Sequence, residues 1–244
     1  MTAQALIDAE LAAGPLRLGG VSNATKLELE LAELDATVFT STGWRAMVGG
    51  LKKGMVESSG FMDSTPFETG ALAPDAELWN QLGGAQVPVT VSASAADQSV
   101  AYILPGRRGK IDLFGKVGEL SHYGSTIIGD GATARGALLH PATVTRNSSG
   151  SGTIFQLGTV PAGRSVLIAL HIFTVSTGTF QLTVQSDDNA GFTTPTSVAN
   201  LGPVGAASSV LVTIPGPVTD DRYRVTWTPA SGAVGRFLAA VGTT

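Results

Sequence analysis

The feature that most constrains this chain is an apolar–polar alternation of period two, cut into short runs by glycine and proline. In Lys26-Leu27-Glu28-Leu29-Glu30-Leu31 it places Leu27, Leu29 and Leu31 on one face and Glu28 and Glu30 on the other. It returns in Thr179–Gln185, with Phe180, Leu182 and Val184 on one face, and in Tyr223–Trp227, with Tyr223, Val225 and Trp227 on one face. With 31 glycines and 12 prolines between Val- and Thr-bearing runs, the chain reads as mainly β.

Charge divides the chain. Residues 1–145 carry ten Lys+Arg and fifteen Asp+Glu, a net of −5; residues 146–244 carry five Arg and four Asp, a net of +1. The change falls at the polar, Gly/Ser-rich run Arg146-Asn147-Ser148-Ser149-Gly150-Ser151-Gly152, which reads as a linker. Three segments follow: an arm over residues 1–23, a first domain over 24–145 and a second over 146–244. The arm has room for a short helix over Ala3–Ala12 before Gly14-Pro15 breaks it.

In the first domain, strands are expected over residues 26–31, 54–61, 87–92, 99–104, 110–121 and 132–144. One helix is expected over Pro74–Leu82, with Pro74 in the first turn, Asp75 and Glu77 on the favourable end of its dipole and Gly83-Gly84 as its stop. Ala76, Leu78, Trp79 and Leu82 form its apolar stripe. That predicts a β-barrel or sandwich with one packed helix. The second domain shows strand patterns over 153–160, 165–175, 179–186, 208–214, 222–228 and 236–241 and no helix. It reads as a β-sandwich, immunoglobulin-like or jelly-roll-like.

The formal net charge of −4 speaks against standing nucleic-acid binding or docking on an anionic membrane, both of which call for a basic surplus. The chain has no cysteine, which excludes disulfides, thiolate zinc sites and cysteine nucleophiles. No signal peptide is read at the N-terminus, and the apolar run Ser165–Val175 is too short to span a bilayer and contains His171.

No residue pattern carries catalysis, and no cofactor is implied. Ser149-Gly150-Ser151-Gly152 lacks the first glycine of a nucleophile elbow. Of the three histidines, His122 and His140 read as strand-end residues, and His171 as a hydrogen-bonded core or interface residue. Gly106-Arg107-Arg108-Gly109-Lys110 lacks phosphate-loop spacing and reads as a charged hairpin turn. Asp187-Asp188-Asn189-Ala190-Gly191 has the wrong spacing for a calcium loop and reads as an Asx-type turn. Trp44, Trp79 and Trp227 read as core.

The order of elements resembles one family. Leu27–Leu31 is followed by Asp35-Ala36-Thr37-Val38-Phe39, then Gly43-Trp44, then Gly50-Leu51, then a strand ending Gly60-Phe61. The short helix, Val100-Ala101-Tyr102, Gly115–Leu120 and Ala134-Arg135-Gly136 continue the pattern. This resembles the major tail tube proteins of siphovirus-type, long-tailed bacteriophages. The second half, with Leu170-His171, Val184–Asp188, Ala190-Gly191-Phe192 and Arg222–Val225, looks like the β-sandwich extension of some of them. The resemblance implies a non-enzymatic virion protein, made in the host cytoplasm, that forms hexameric rings stacked into a tube. Sheets would join around each ring into an inner barrel, while the arm and the loop Met62–Pro74 would bridge rings. DNA would pass through transiently, without specific binding, along an acidic wall. Glu28, Glu30 and Glu33 would contribute to that lumen or to subunit contacts. Its partners would be further copies of itself and the tape measure, tail terminator and distal tail proteins, with no membrane. Two alternatives stay open: another virion part, such as a decoration or terminator protein, and a carbohydrate-binding β-sandwich module.

Overall fold

The structure, a computed structural model, describes residues 8–35, 47–62 and 71–244. Trp44, the Thr37–Phe39 stretch, Met1–Ile7 and most of the loop after Met62 lie outside the described residues. The first half contains β1 (Glu10–Ala13), β2 (Leu16–Arg17), β3 (Ser22–Asp35), β4 (Met47–Phe61), α1 (Pro74–Gln81), β5 (Val87–Ser92), β6 (Val100–Leu113), β7 (His122–Gly129) and β8 (Ala134–His140). After it come β9 (Thr145–Arg146), β10 (Gly150–Ser151), β11 (Phe155–Gln156), β12 (Ser165–Val175), β13 (Phe180–Asp187), β14 (Thr196–Val204), β15 (Ser208–Pro215), β16 (Arg222–Pro229) and β17 (Gly235–Thr243). The protein is mainly β, with antiparallel sheets in a sandwich arrangement and, among the described residues, no closed barrel.

One sheet runs β15-β12-β17-β8-β6-β5-β1-β2, and the other end of the long β6 leads through β7 and β4 to β3. A five-stranded sheet of β10, β11, β13, β14 and β16 covers its C-terminal part. Three apolar interfaces result. Leu11, Leu18, Val56, Leu104, Tyr123 and Ile127 fill the first, between β1/β5/β6 and β4/β7. Ala12, Ile103, Leu138, Leu167, Phe173 and Leu238 fill the second, between β1/β6/β8 and β12/β17. Ile168, Leu170, Phe180, Val225, Trp227 and Phe237 fill the third, between β12/β17 and the second sheet. Alternate residues of β12 serve different cores, Ile168 and Leu170 one and Leu167 and Phe173 the other. A strand covered on both faces has no polar face, which is why Ser165–Val175 reads as a continuous apolar run.

Several sequence expectations change here. Residues 10–18 are not an arm: β1 is buried along its length and pairs with β5. Helix-compatible Glu10-Leu11-Ala12-Ala13 is a strand because both its faces are buried, Leu11 and Ala13 in the first core and Ala12 in the second, so tertiary burial overrides propensity. Glu10, 1 % exposed, is neutralised by Arg17, whose Nε and Nη2 donate to its carboxylate at 2.8–3.1 Å across the β1–β2 turn. The polar run after Arg146 does not coincide with a break in the sheet. β17 pairs directly with β8, and a Cβ at Gly136 would collide with the Val241 carbonyl, so glycine is needed for that approach.

Gly106–Lys110 is the middle of β6 and not a turn; a bulge between Arg108 and Lys110 takes up its irregularity. The strand expected over 110–121 ends at Leu113, and the next one is β7. β14 was not legible: its apolar residues are broken by Asn200 and Gly202-Pro203 instead of alternating regularly, and it sits at the edge of its sheet, where proline is tolerated.

Candidate assembly surface

β3 and β4 form a long hairpin whose register explains its chemistry. Leu27 lies opposite Val56, Leu29 opposite Gly54 and Leu31 opposite Lys52, so these side chains share the face turned toward the first core. β7, the strand on the far side of β4, ends at Gly129, and its last partner on β4 is Met55. Beyond that point the hairpin overhangs the body. Leu27 packs against the first core, whereas Leu29 and Leu31 are 54 % and 49 % exposed. A groove of about 540 Å³ runs beneath them, bordered by Lys52, Lys53, Gly129, Ala132, Thr133 and Thr244.

The opposite face of the hairpin is polar and charge-balanced. Lys26 Nζ reaches Glu28 Oε2 at 2.5 Å, and this contact holds the Glu28 carboxyl below and the Lys26 ammonium above their ordinary pKa values. Glu30 stands opposite Lys53 and Lys26 opposite Glu57 on this face, whereas Glu33 follows the alternation of Leu29 and Leu31 and lies opposite Gly49 beyond a register shift. On neighbouring strands Lys110 pairs with Asp112 at 2.8 Å and Arg107 with Asp130 at 2.6 Å. Glu28, Glu30 and Glu33 thus lie along one strand, and the first of them is tied to a cation. β3 pairs only with β4, so its outer edge is open over 14 residues among the described residues.

A second apolar patch lies at the other end of β4. Phe61 ends that strand opposite His122, and the β6–β7 connection, residues 114–121, closes beside it. Phe61 (52 %), Trp79 (68 %), Phe114 (68 %) and Leu120 (74 %) are exposed, and Val117 at the tip is fully so. Phe114 adopts φ +75°, a conformation costly for a bulky residue. Trp79 was expected in the apolar stripe of α1. The buried residues of the helix are instead Pro74, Leu78 and Gln81, which turns Trp79 outward.

A buried polar node orients α1. Gln81 donates to the Ala13 carbonyl at 3.1 Å and to Glu77 at 2.8 Å, and accepts from Arg108 Nη2 at 2.9 Å. Arg108, 1 % exposed, also donates to Ser125 Oγ; burial lowers its pKa to about 10.

The histidines fall where the sequence placed them. His122 and His140 end strands, and His171 is buried in β12. His171 Nδ1 donates to the Gly14 carbonyl at 2.7 Å, which leaves Nε2 to accept from the Thr90 hydroxyl at 2.9 Å. His140 Nε2 accepts from Arg146 Nε at 3.0 Å; the Arg146 guanidinium lies 4.5 Å from the Trp227 ring centroid. Burial holds both imidazoles neutral, with pKa values lowered to about 4. Asp187 accepts from the backbone amides of Asn189 and Thr194, and Asn189 from that of Gly191, the expected Asx turn. Among the described residues no cluster of His, Asp and Glu could hold a metal ion, and no helix is long and apolar enough to cross a membrane.

No family model matches the sequence, and neither does any curated protein. Among solved structures, the chain is similar to a protein in the virion of a native gene transfer agent particle, at 20 % identity and TM-score 0.44, over 55 % of this chain and 100 % of that one. It is similar to a protein in the tail of an empty gene transfer agent particle with C6 symmetry, at 18 % identity and TM-score 0.40, over 48 % and 83 %. It is also similar to the Dit protein of phage SPP1, described as a hub of the adsorption apparatus, at 12 % identity and TM-score 0.34, over 96 % and 98 %.

Proposed function

We propose that this chain is a structural subunit of a phage tail that assembles with copies of itself into hexameric rings stacked as a tube. The observation that carries the reading is the overhang. Leu29 and Leu31 sit on the face that buries Leu27 yet stand about half exposed, on a hairpin with an open edge. Large apolar side chains aligned on one strand face are what an assembling surface presents before it is covered.

In the ring, the open edge of β3 meets a neighbouring copy, and the charge-balanced face of β3, β4 and β7 turns to the lumen. Glu28, Glu30 and Glu33 line that lumen or the subunit contact. Lys26 and Lys110 on that wall are tied to carboxylates, and in a segment of net charge −5 little cationic surface is left for phosphates to adhere to, so DNA passes without being held. The protein then works in the virion tail beside tape measure, terminator and distal tail proteins, after synthesis in the host cytoplasm.

Negative-stain electron microscopy of the purified protein across a concentration series tests this reading. Stacked rings with six subunits are expected. Closed oligomers that do not grow would replace the tube with a decoration or terminator role.

A further inference from the structure

Building on that assembly reading, we propose that the pocket between α1 and the β6–β7 connection receives the Lys52 side chain of a second copy of this chain. The pocket has a volume of about 460 Å³ and is bordered by Met62, Asp75, Trp79, Asn80, Leu113 and Phe114. Its polar feature is a carboxylate with an unmet need. Asp75 Oδ1 is buried and has no hydrogen-bond partner among the described residues. A buried carboxylate oxygen calls for a donor, and a cation is the strongest one available. The aromatic rings of Trp79 and Phe114 favour an ammonium through their negative faces, and Met62 and Leu113 suit an aliphatic stem. The chemistry of the site is that of a lysine receptor.

Charge and exposure within the chain select the lysine. Five lysines are present. Lys26 and Lys110 are engaged by Glu28 and Asp112. Lys116 is exposed and has no ion pair among the described residues, but it sits on the connection that itself borders the pocket, and so belongs to the receiving side of the contact. Lys52 and Lys53 stand on the overhang, exposed and without an ion pair among the described residues. Of the two, Lys52 lies opposite Leu31 and shares the apolar face with Leu29, while Lys53 lies opposite Glu30 on the polar face. Each patch therefore offers what the other lacks: apolar side chains and a cation on the overhang, apolar side chains and an unpartnered carboxylate at the pocket.

The two patches cannot meet within one copy. Lys52 and Phe61 are nine residues apart on β4, about 30 Å at roughly 3.3 Å per residue. The contact is heterologous, with unlike surfaces meeting head to tail. Each copy uses its pocket toward one neighbour and its hairpin toward another, so the contact repeats from copy to copy until a ring closes or the stack ends.

The test uses full-length protein, half of it isotopically labelled, assembled and then treated with a zero-length carbodiimide that couples carboxylates to amines. A Lys52–Asp75 cross-link joining labelled to unlabelled peptides is expected. In parallel, Lys52→Asp and Trp79→Ala, both at exposed positions, each slow assembly at least tenfold with unchanged thermal melting, and Lys52→Asp combined with Asp75→Lys restores growth. Assemblies that form at the wild-type rate from Lys52→Asp, or that lack the cross-link, overturn this contact and leave the assembly reading standing. A wild-type chain that stays monomeric at every concentration overturns both.

Discussion

His171 Nδ1 donates a 2.7 Å hydrogen bond to the carbonyl of Gly14, across 157 positions of sequence. A strand of the C-terminal half is thereby fastened to the turn between the first two strands, and Thr90 of β5 completes the junction from Nε2. Replacing His171 with Leu leaves the Gly14 carbonyl and the Thr90 hydroxyl buried without partners. A loss of about 2–4 kcal/mol is expected, read as a lower urea midpoint at unchanged slope.

The same burial sets an acid limit. Both His171 and His140 titrate near 4 in the folded chain and near 6.5 when unfolded. Between those values the unfolded chain binds protons that the folded chain refuses, so stability falls as pH drops from about 6.5 toward 4. The slope is about 1.4 kcal/mol per pH unit for each histidine, and the contribution is flat above that window. Glu10, whose buried carboxyl titrates above its ordinary value, acts in the opposite direction at the acid end. Urea midpoints at pH 7.5, 6.5 and 5.5 check the sign, with little change over the first step and a marked fall over the second.

Removing residues 1–18 deletes β1 and β2, exposes the edge of β5 and removes the acceptor of His171. The truncated chain is expected to lose cooperative thermal unfolding altogether. A well-folded monomer that fails only to assemble would instead restore the reading of this segment as an arm.

A fragment of residues 146–244 probes the boundary in the same way. Without β8, β17 loses a partner strand, and Leu167, Phe173 and Leu238 lose their cover. The fragment is expected to aggregate, as seen by light scattering, where an independent domain would be monomeric with a sharp melt.

Much of the fold was written in local pattern. The alternation in Leu27–Leu31 fixed both faces of β3, and Pro74, Asp75 and Glu77 marked α1, because register and capping are short-range properties. What pattern cannot express is which faces become covered. Leu29 repeats the pattern of Leu27 and differs only because β7 stops at Gly129. Trp79 looks like a core residue until Gln81 and its bonds to Ala13 and Arg108 turn the helix. Arg108 looked like part of a turn because an arginine in a buried strand requires acceptors, Gln81 and Ser125, that only the tertiary structure supplies. Glu28 and Glu30 were legible as a polar face, but the cations beside it come from register with β4 and pairing along β3.

The most direct measurement is sedimentation velocity, across a concentration series, of the wild-type chain beside Leu29→Ser/Leu31→Ser. Both leucines are about half exposed, so the double variant should keep its melting temperature within a few degrees. The account predicts that the wild type grows into large assemblies while the folded double variant remains monomeric. Assembly of the double variant at the wild-type concentration threshold would contradict the claim that the overhanging hairpin drives it.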